Sequence, residues 1–167
     1  DKMNYCQVGR YIYFTNGSTM GYVRDSVAYT IPIPMVQFHL SIPAGHMLEY
    51  LNSILYVAKD NLLIHSDAAH PNRYDGRKNI TPFNGKITLL KKVVNGLYVG
   101  DSKGVYFLQG PHPEKFVKKV VTNYPAIIYT ASNIPSISIG DTVLNNPIMW
   151  ASIRGICVGG EDGSFFN

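Results

Sequence analysis

Four times along this chain an apolar-aromatic run meets a tight polar turn and returns as a second strand. The runs are Ile12-Tyr13-Phe14-Thr15-Asn16, Leu55-Tyr56-Val57-Ala58-Lys59, Leu97-Tyr98-Val99-Gly100-Asp101 and Ile156-Cys157-Val158-Gly159-Gly160, at spacings of 43, 42 and 59 residues. One short sheet cannot bury both of its faces, so a period near 40 made of strand-turn-strand units demands that neighbouring sheets stack, which marks a β-propeller. The expected fold is all-β: a propeller-like array of about four antiparallel blades, or a fragment of a larger propeller. The expectation is a single domain over residues 1–167, with blade-like units near 5–34, 35–84, 85–146 and 147–167.

Turn chemistry sharpens this reading. Asn16-Gly17 favours the positive φ of a hairpin and separates strands 11–15 and 20–24. Asn52-Ser53 and Lys59-Asp60-Asn61 punctuate three strands at 47–51, 54–58 and 62–66. The third copy runs 86–93, 97–100 and 105–109, with 116–122 as its fourth strand beyond the Pro111-His112-Pro113 loop, whose prolines interrupt regular structure. Residues 124–146 hold two prolines and several Asn- and Gly-containing turns, and read as an extra strand and loop inserted before the last copy. That copy pairs 147–152 with 155–159 and is expected to end half-built, with Trp150 as a packed blade residue and Ser164-Phe165-Phe166 as an open edge. From this the sequence reads as an excerpt of a longer chain.

With 46% hydrophobic residues, 15 Gly and 10 Pro among 167, the composition suits a packed core of many short strands. No apolar run approaches the ~18 residues of a membrane-spanning helix, and no membrane partner is expected. Cys6 and Cys157, each in an apolar run, read as buried thiols rather than a disulfide pair. The sequence contains no Gly-x-Ser-x-Gly elbow, phosphate-binding Gly-rich loop, Cys-x-x-Cys pair or His-Glu-x-x-His motif. Asp60 and Asp101 recur at matching turns, where Asn16 and Gly160 also fall, so these positions read as turn residues rather than a catalytic pair. The expectation is no enzyme activity, no catalytic residues and no cofactor.

One constellation has metal-ligand character: His65, Asp67 and His70 within six residues. The Ser66, Ala68 and Ala69 between them suit an exposed loop, and Asp67 is placed to hold backbone amides ahead of His70-Pro71, so no metal is expected. His39, within the apolar run 35–41, reads as a satisfied, buried histidine rather than a ligand. Charge is more uneven. Ten basic residues against three acidic ones lie between Arg73 and Lys119, while the remaining 120 residues carry five against eight, so the net charge of +4 originates in the middle of the chain. Arg73, Arg77, Lys78, Lys91, Lys92, Lys118 and Lys119, with Phe165 and Phe166, are the candidate contacts for a partner or for nucleic acid. The lysine pairs fall in strands, where charge guards a sheet edge against unwanted pairing, and nucleic acid is the lesser expectation.

Residues 72–88, the hairpin Asn95-Gly96-Leu97-Tyr98-Val99-Gly100-Asp101-Ser102-Lys103-Gly104-Val105-Tyr106-Phe107-Leu108-Gln109-Gly110, and Trp150-Ala151-Ser152 with Gly155 through Gly160 and Gly163 resemble β-propeller structural proteins of tailed bacteriophage virions. The resemblance covers roughly residues 47 to 167, with a weaker first copy. It implies a non-catalytic structural component of the tail, neck or hub, located in the virion after assembly in the bacterial host cytoplasm, whose partners are other virion subunits or the remainder of its parent chain. The competing expectation, from a different class, is a propeller enzyme or carbohydrate-binding module with a central-channel site at residues such as His65, Asp67 and Glu49.

Overall fold

A computed structural model describes residues 2–167, which form an all-β protein with twenty strands, one short 3-10 turn and no α-helix among them. The absence of helix agrees with a sequence punctuated by Gly, Asn and Asp at the ends of short apolar runs. Contacts gather into two compact units, Asp1–Lys86 and Ile87–Asn167.

The first unit opens with β1 (Asn4–Val8), β2 (Tyr11–Thr15), β3 (Met20–Arg24) and β4 (Val27–Thr30), a four-stranded antiparallel meander in chain order. Then come β5 (His39–Ser41), β6 (Met47–Leu51), β7 (Ile54–Lys59), β8 (Leu62–His65), β9 (Arg73–Asp75) and β10 (Ile80–Pro82). The second sheet follows the order β10-β8-β7-β6, and β9 leaves it to pair with β5. Turns carry the residues their geometry requires. Asn52 and Ser53, at φ 49° and 64°, and Asp25 and Ser26, at 48° and 65°, form two-residue hairpin loops whose left-handed pair matches the strand twist. The Asn16 side-chain oxygen accepts hydrogen bonds from the amides of Ser18 and Thr19 at 3.0 and 2.8 Å.

The second unit repeats the plan. Strands β11 (Leu89–Val93), β12 (Gly96–Gly100), β13 (Val105–Gln109) and β14 (Val117–Thr122) form one meander. Beyond them lie β15 (Ser132–Asn133), β16 (Ser136–Ile139), β17 (Thr142–Asn145), β18 (Ile148–Ser152), β19 (Gly155–Gly159) and β20 (Phe165–Phe166). The last four-stranded sheet has the order β15-β18-β19-β20, and β16 and β17 form a separate hairpin looped out of it.

Two sequence expectations change here. The last copy is not half-built: β15 supplies its first strand from within the inserted region, and Phe165 and Phe166 supply its fourth by pairing with Gly159 and Val158. Its register also differs. The second strands of the four sheets bury one aromatic each, Tyr13, Tyr56, Tyr98 and Trp150, all at 2% exposure or less. Each faces a third-strand partner: Tyr22, His65, Phe107 and Cys157. The counterpart of Leu97-Tyr98-Val99 is therefore Met149-Trp150-Ala151, and the repeat of the buried aromatic runs 43, 42 and 52 residues. The Ile156-Cys157-Val158 run mimicked a second strand because β19 is buried over its last three residues.

Two-sided burial explains why second strands read as continuous apolar runs. All five residues of β12 and the first five of β7 are buried, whereas β4 is exposed throughout. Each unit has its own core. The first packs Tyr13, Leu48, Leu55, Val57, Ile64 and Tyr74 together, and the second Leu89, Tyr98, Phe107, Ile148 and Trp150. Cys6 and Cys157 are both buried and form no disulfide.

Candidate functional site

Asp67 is the centre of the densest polar network described in the first unit. It sits just after β8, and its carboxylate faces three donors. His39 Nε2 lies 2.9 Å and Arg73 Nε 3.1 Å from one oxygen, while Asn79 Nδ2 donates to the other at 3.0 Å. The backbone reinforces the arrangement, with the Asp67 amide donating to the Arg73 carbonyl and the His70 amide to the Asp67 carbonyl. The antiparallel β5–β9 pair brings this about by setting His39 opposite Asp75 and Ser41 opposite Arg73. Both ring nitrogens of His39 face oxygens, since Nδ1 lies 2.9 Å from the Gln37 carbonyl.

The three metal-ligand candidates are not brought to one point. Asp67 is engaged as above; His65, buried at the end of β8, has Nδ1 3.2 Å from the Ser66 carbonyl; and His70, exposed, has Nδ1 2.9 Å from the Ala68 carbonyl. Among the described residues no group of three His, Cys, Asp or Glu side chains is arranged to hold a metal ion. Glu49 and His65 lie on either side of Tyr56 in register across β6, β7 and β8, and both are buried, while Asp67 belongs to the separate network with His39. His39 is satisfied as expected, but it is partly exposed rather than enclosed, because the run around it is itself exposed: Met35, Phe38 and Leu40 at 103%, 55% and 53%.

Asp75 is the second anion of this network, with its side chain almost wholly buried beside an exposed arginine. Arg77 grips it in a fork, Nε to one oxygen at 3.0 Å and Nη2 to the other at 2.8 Å, and the Arg77 amide adds a third bond at 3.0 Å. The guanidinium lies over the Phe38 ring, 4.0 Å from its centroid. The Arg77 side-chain bonds, then its amide, hold the Asp75 carboxyl well below the usual carboxylate range.

Because the folded value is depressed, Asp75 stabilises the fold above the unfolded carboxylate pKa, about 4, and loses that contribution as pH falls through the folded value. Thermal melts should therefore show the gap between the natural protein and Asp75→Asn narrowing as pH drops below about 4. A gap unchanged down to strong acid would contradict the pairing. Asp67→Ala removes the acceptor of three partly or fully buried donors, and should lower unfolding free energy by about 1–3 kcal/mol. Denaturant titration checks this, and a loss within error of zero would mean that solvent replaces all three bonds.

The basic candidates divide by strand. Arg73 and Arg77 serve Asp67 and Asp75, and Lys78 is exposed beside them. Lys91 and Lys92 lie in β11, Lys118 and Lys119 in β14, the two end strands of one sheet. Lys118 Nζ lies 3.8 Å from the Tyr106 ring centroid, and Lys119 Nζ donates to the Gly163 carbonyl at 3.1 Å. Sheet pairing thus places these lysines at opposite edges rather than in one stripe. Asp101 behaves as the turn residue expected: fully buried, its carboxylate accepts from the amides of Lys103 and Gly104 at 2.7 and 3.2 Å. Phe165 and Phe166 are half-buried, and Phe165 packs on Trp150 with ring centroids 5.9 Å apart. The roles of Asn79 and His39 escaped the sequence reading. Nothing local links either residue to Asp67.

Among the described residues no helix is long and apolar enough to cross a membrane. No family model matches the chain, and no curated protein matches it. Among solved structures it is similar to the crystal structure of the computationally designed Ika4 protein, with a TM-score of 0.56 and 9% identity over 94% of this chain and 89% of that one. At that identity the likeness concerns the fold alone, and it is to a designed protein of matching extent.

Proposed function

We propose that this chain is a non-catalytic structural component of a tailed-phage particle, in the tail, neck or hub, whose four four-stranded sheets act as propeller-like blades. It works through protein–protein contacts made by blade edges and connecting loops. The observation that carries this reading is the segment between the first two sheets. Ile33, Met35, Phe38 and Leu40 are 87%, 103%, 55% and 53% exposed, whereas singly scattered apolar residues are the norm on a monomer surface. The main acidic groups nearby, Asp67 and Asp75, are engaged by His39, Arg73, Asn79 and Arg77, which supports a scaffolding role for the charges rather than a chemical one. The resemblance of residues 72–88, 95–110, 150–152 and 155–160 with Gly163 to phage propeller proteins supplies the particle.

Mass spectrometry of purified particles from the producing host tests the reading. Peptides of this chain should co-purify with particles at a fixed ratio to the other structural proteins. Their absence from particles, with the chain present in the host lysate, would sink the proposal. Cryo-electron microscopy of the same particles tests the blade arrangement, since the four sheets should stand radially around a common axis.

A further inference from the structure

Strand β4 is an unguarded sheet edge. It is the last strand of its sheet, and all four of its residues are exposed. Natural sheets blunt such edges with charge or proline: β14 carries Lys118 and Lys119, and β10 ends on Pro82. Val27-Ala28-Tyr29-Thr30 has neither. Its face also carries an unfinished ladder. Tyr13, Tyr22 and Tyr29 are successive cross-strand partners. Their rings stack at 5.4 and 5.3 Å between centroids, with 29° and 17° between planes. Exposure rises along the stack from 2% at Tyr13 to 44% at Tyr29, whose ring ends it.

The run that can pair is bounded on both sides. Asp25 and Ser26 hold left-handed turn geometry before it, and Pro32 follows Ile31. This leaves residues 27–31, and their midpoint is Tyr29. We propose that β4 pairs antiparallel with β4 of a second copy of this chain about a two-fold axis at Tyr29. Val27 then faces Ile31 and Ala28 faces Thr30 of the other copy. Three stacked rings become six, and two four-stranded sheets become one of eight. A two-fold pairing sets the central residue against itself and makes equivalent off-centre residues diagonal neighbours, so any charge in the strip would lie near a like charge. Residues 26–31 carry none. The five-residue strip is smaller than the ~800 Å² per partner of a standard interface, which places the dimer in the weak, concentration-dependent class.

Sedimentation velocity on the intact chain, from low to high micromolar, should show a monomer–dimer equilibrium. Tyr29→Lys sets two ammonium groups face to face and should raise the dissociation constant at least roughly tenfold. Ala28→Lys charges the edge without touching the ladder and should act in the same direction, while Val120→Lys on the β14 edge should leave the equilibrium unchanged. Under mild oxidation Tyr29→Cys should cross-link, because directly opposed strand residues lie within disulfide reach at ~4.5–5.5 Å between Cα atoms. Val27→Cys should not, since it faces Ile31. A monomer at every concentration, a dimer indifferent to both lysine substitutions on β4, or equal cross-linking at positions 27 and 29 overturns the proposal.

Discussion

Trp150→Ala is expected to lower the unfolding free energy by about 3–5 kcal/mol, the usual cost of deleting a large buried ring. The indole is 1% exposed and packs between Tyr98 and Phe165, with ring centroids 5.9 Å from each. Its removal leaves a cavity lined by side chains from different strands, and close-packed strands relax into such a void only partly. The indole Nε1 is buried with no acceptor. Trp150→Phe therefore keeps much of the volume and removes an unsatisfied donor, so its loss should be much smaller than that of the alanine variant. Urea titrations followed by far-ultraviolet circular dichroism separate the two. Equal losses, or an alanine loss below about 1 kcal/mol, would show that Trp150 is not the centre of the second core.

The second large effect concerns backbone approach. Gly96→Val should destabilise by roughly 3 kcal/mol, the upper part of the range for over-packing. A Cβ at Gly96 would collide with the Leu108 carbonyl oxygen and come within 2.9 Å of the Phe107 ring. Gly96 and Gln109 are paired in the β12–β13 ladder, so the strand cannot retreat without opening that pair. No positive φ is involved; the residue is fixed by space rather than by conformation. Thermal unfolding of Gly96→Ala and Gly96→Val should rank the two by size. A valine variant as stable as the natural protein would mean that the sheet yields more readily than its burial implies.

Much of the fold was legible because two kinds of local signal agree. Second strands such as Leu55-Tyr56-Val57 and Leu97-Tyr98-Val99 are buried on both faces and so read as unbroken apolar runs. Asn16, Asn52-Ser53 and Asp101 mark turns through hydrogen bonds or backbone angles that belong to the residues themselves. Strands β2, β3, β6, β13 and the core of β18 follow directly from that grammar. Among the strands that went unnoticed, β4 is exposed throughout, β15 is two residues long, and β1 buries only Cys6 and Val8, so none of them reads as a continuous apolar run.

Taken alone, then, the amino-acid sequence determined the class of fold, the positions of the deeply buried strands and the turn residues between them, because burial and turn geometry are imposed within a few residues. The tertiary structure decided which strand joins which sheet. It sent β9 to β5 and β10 to β8, drew β15 into the last sheet ahead of a looped-out hairpin, and paired Phe165 and Phe166 with β19 where an open edge was expected. It also chose the partners of Asp67, assembling His39, Arg73 and Asn79 around a carboxylate that the sequence reads as holding only local backbone amides. The reason is physical: strand pairing and ion pairing depend on segments distant in sequence, and a register shift of one residue reverses every side chain's face without altering the local pattern.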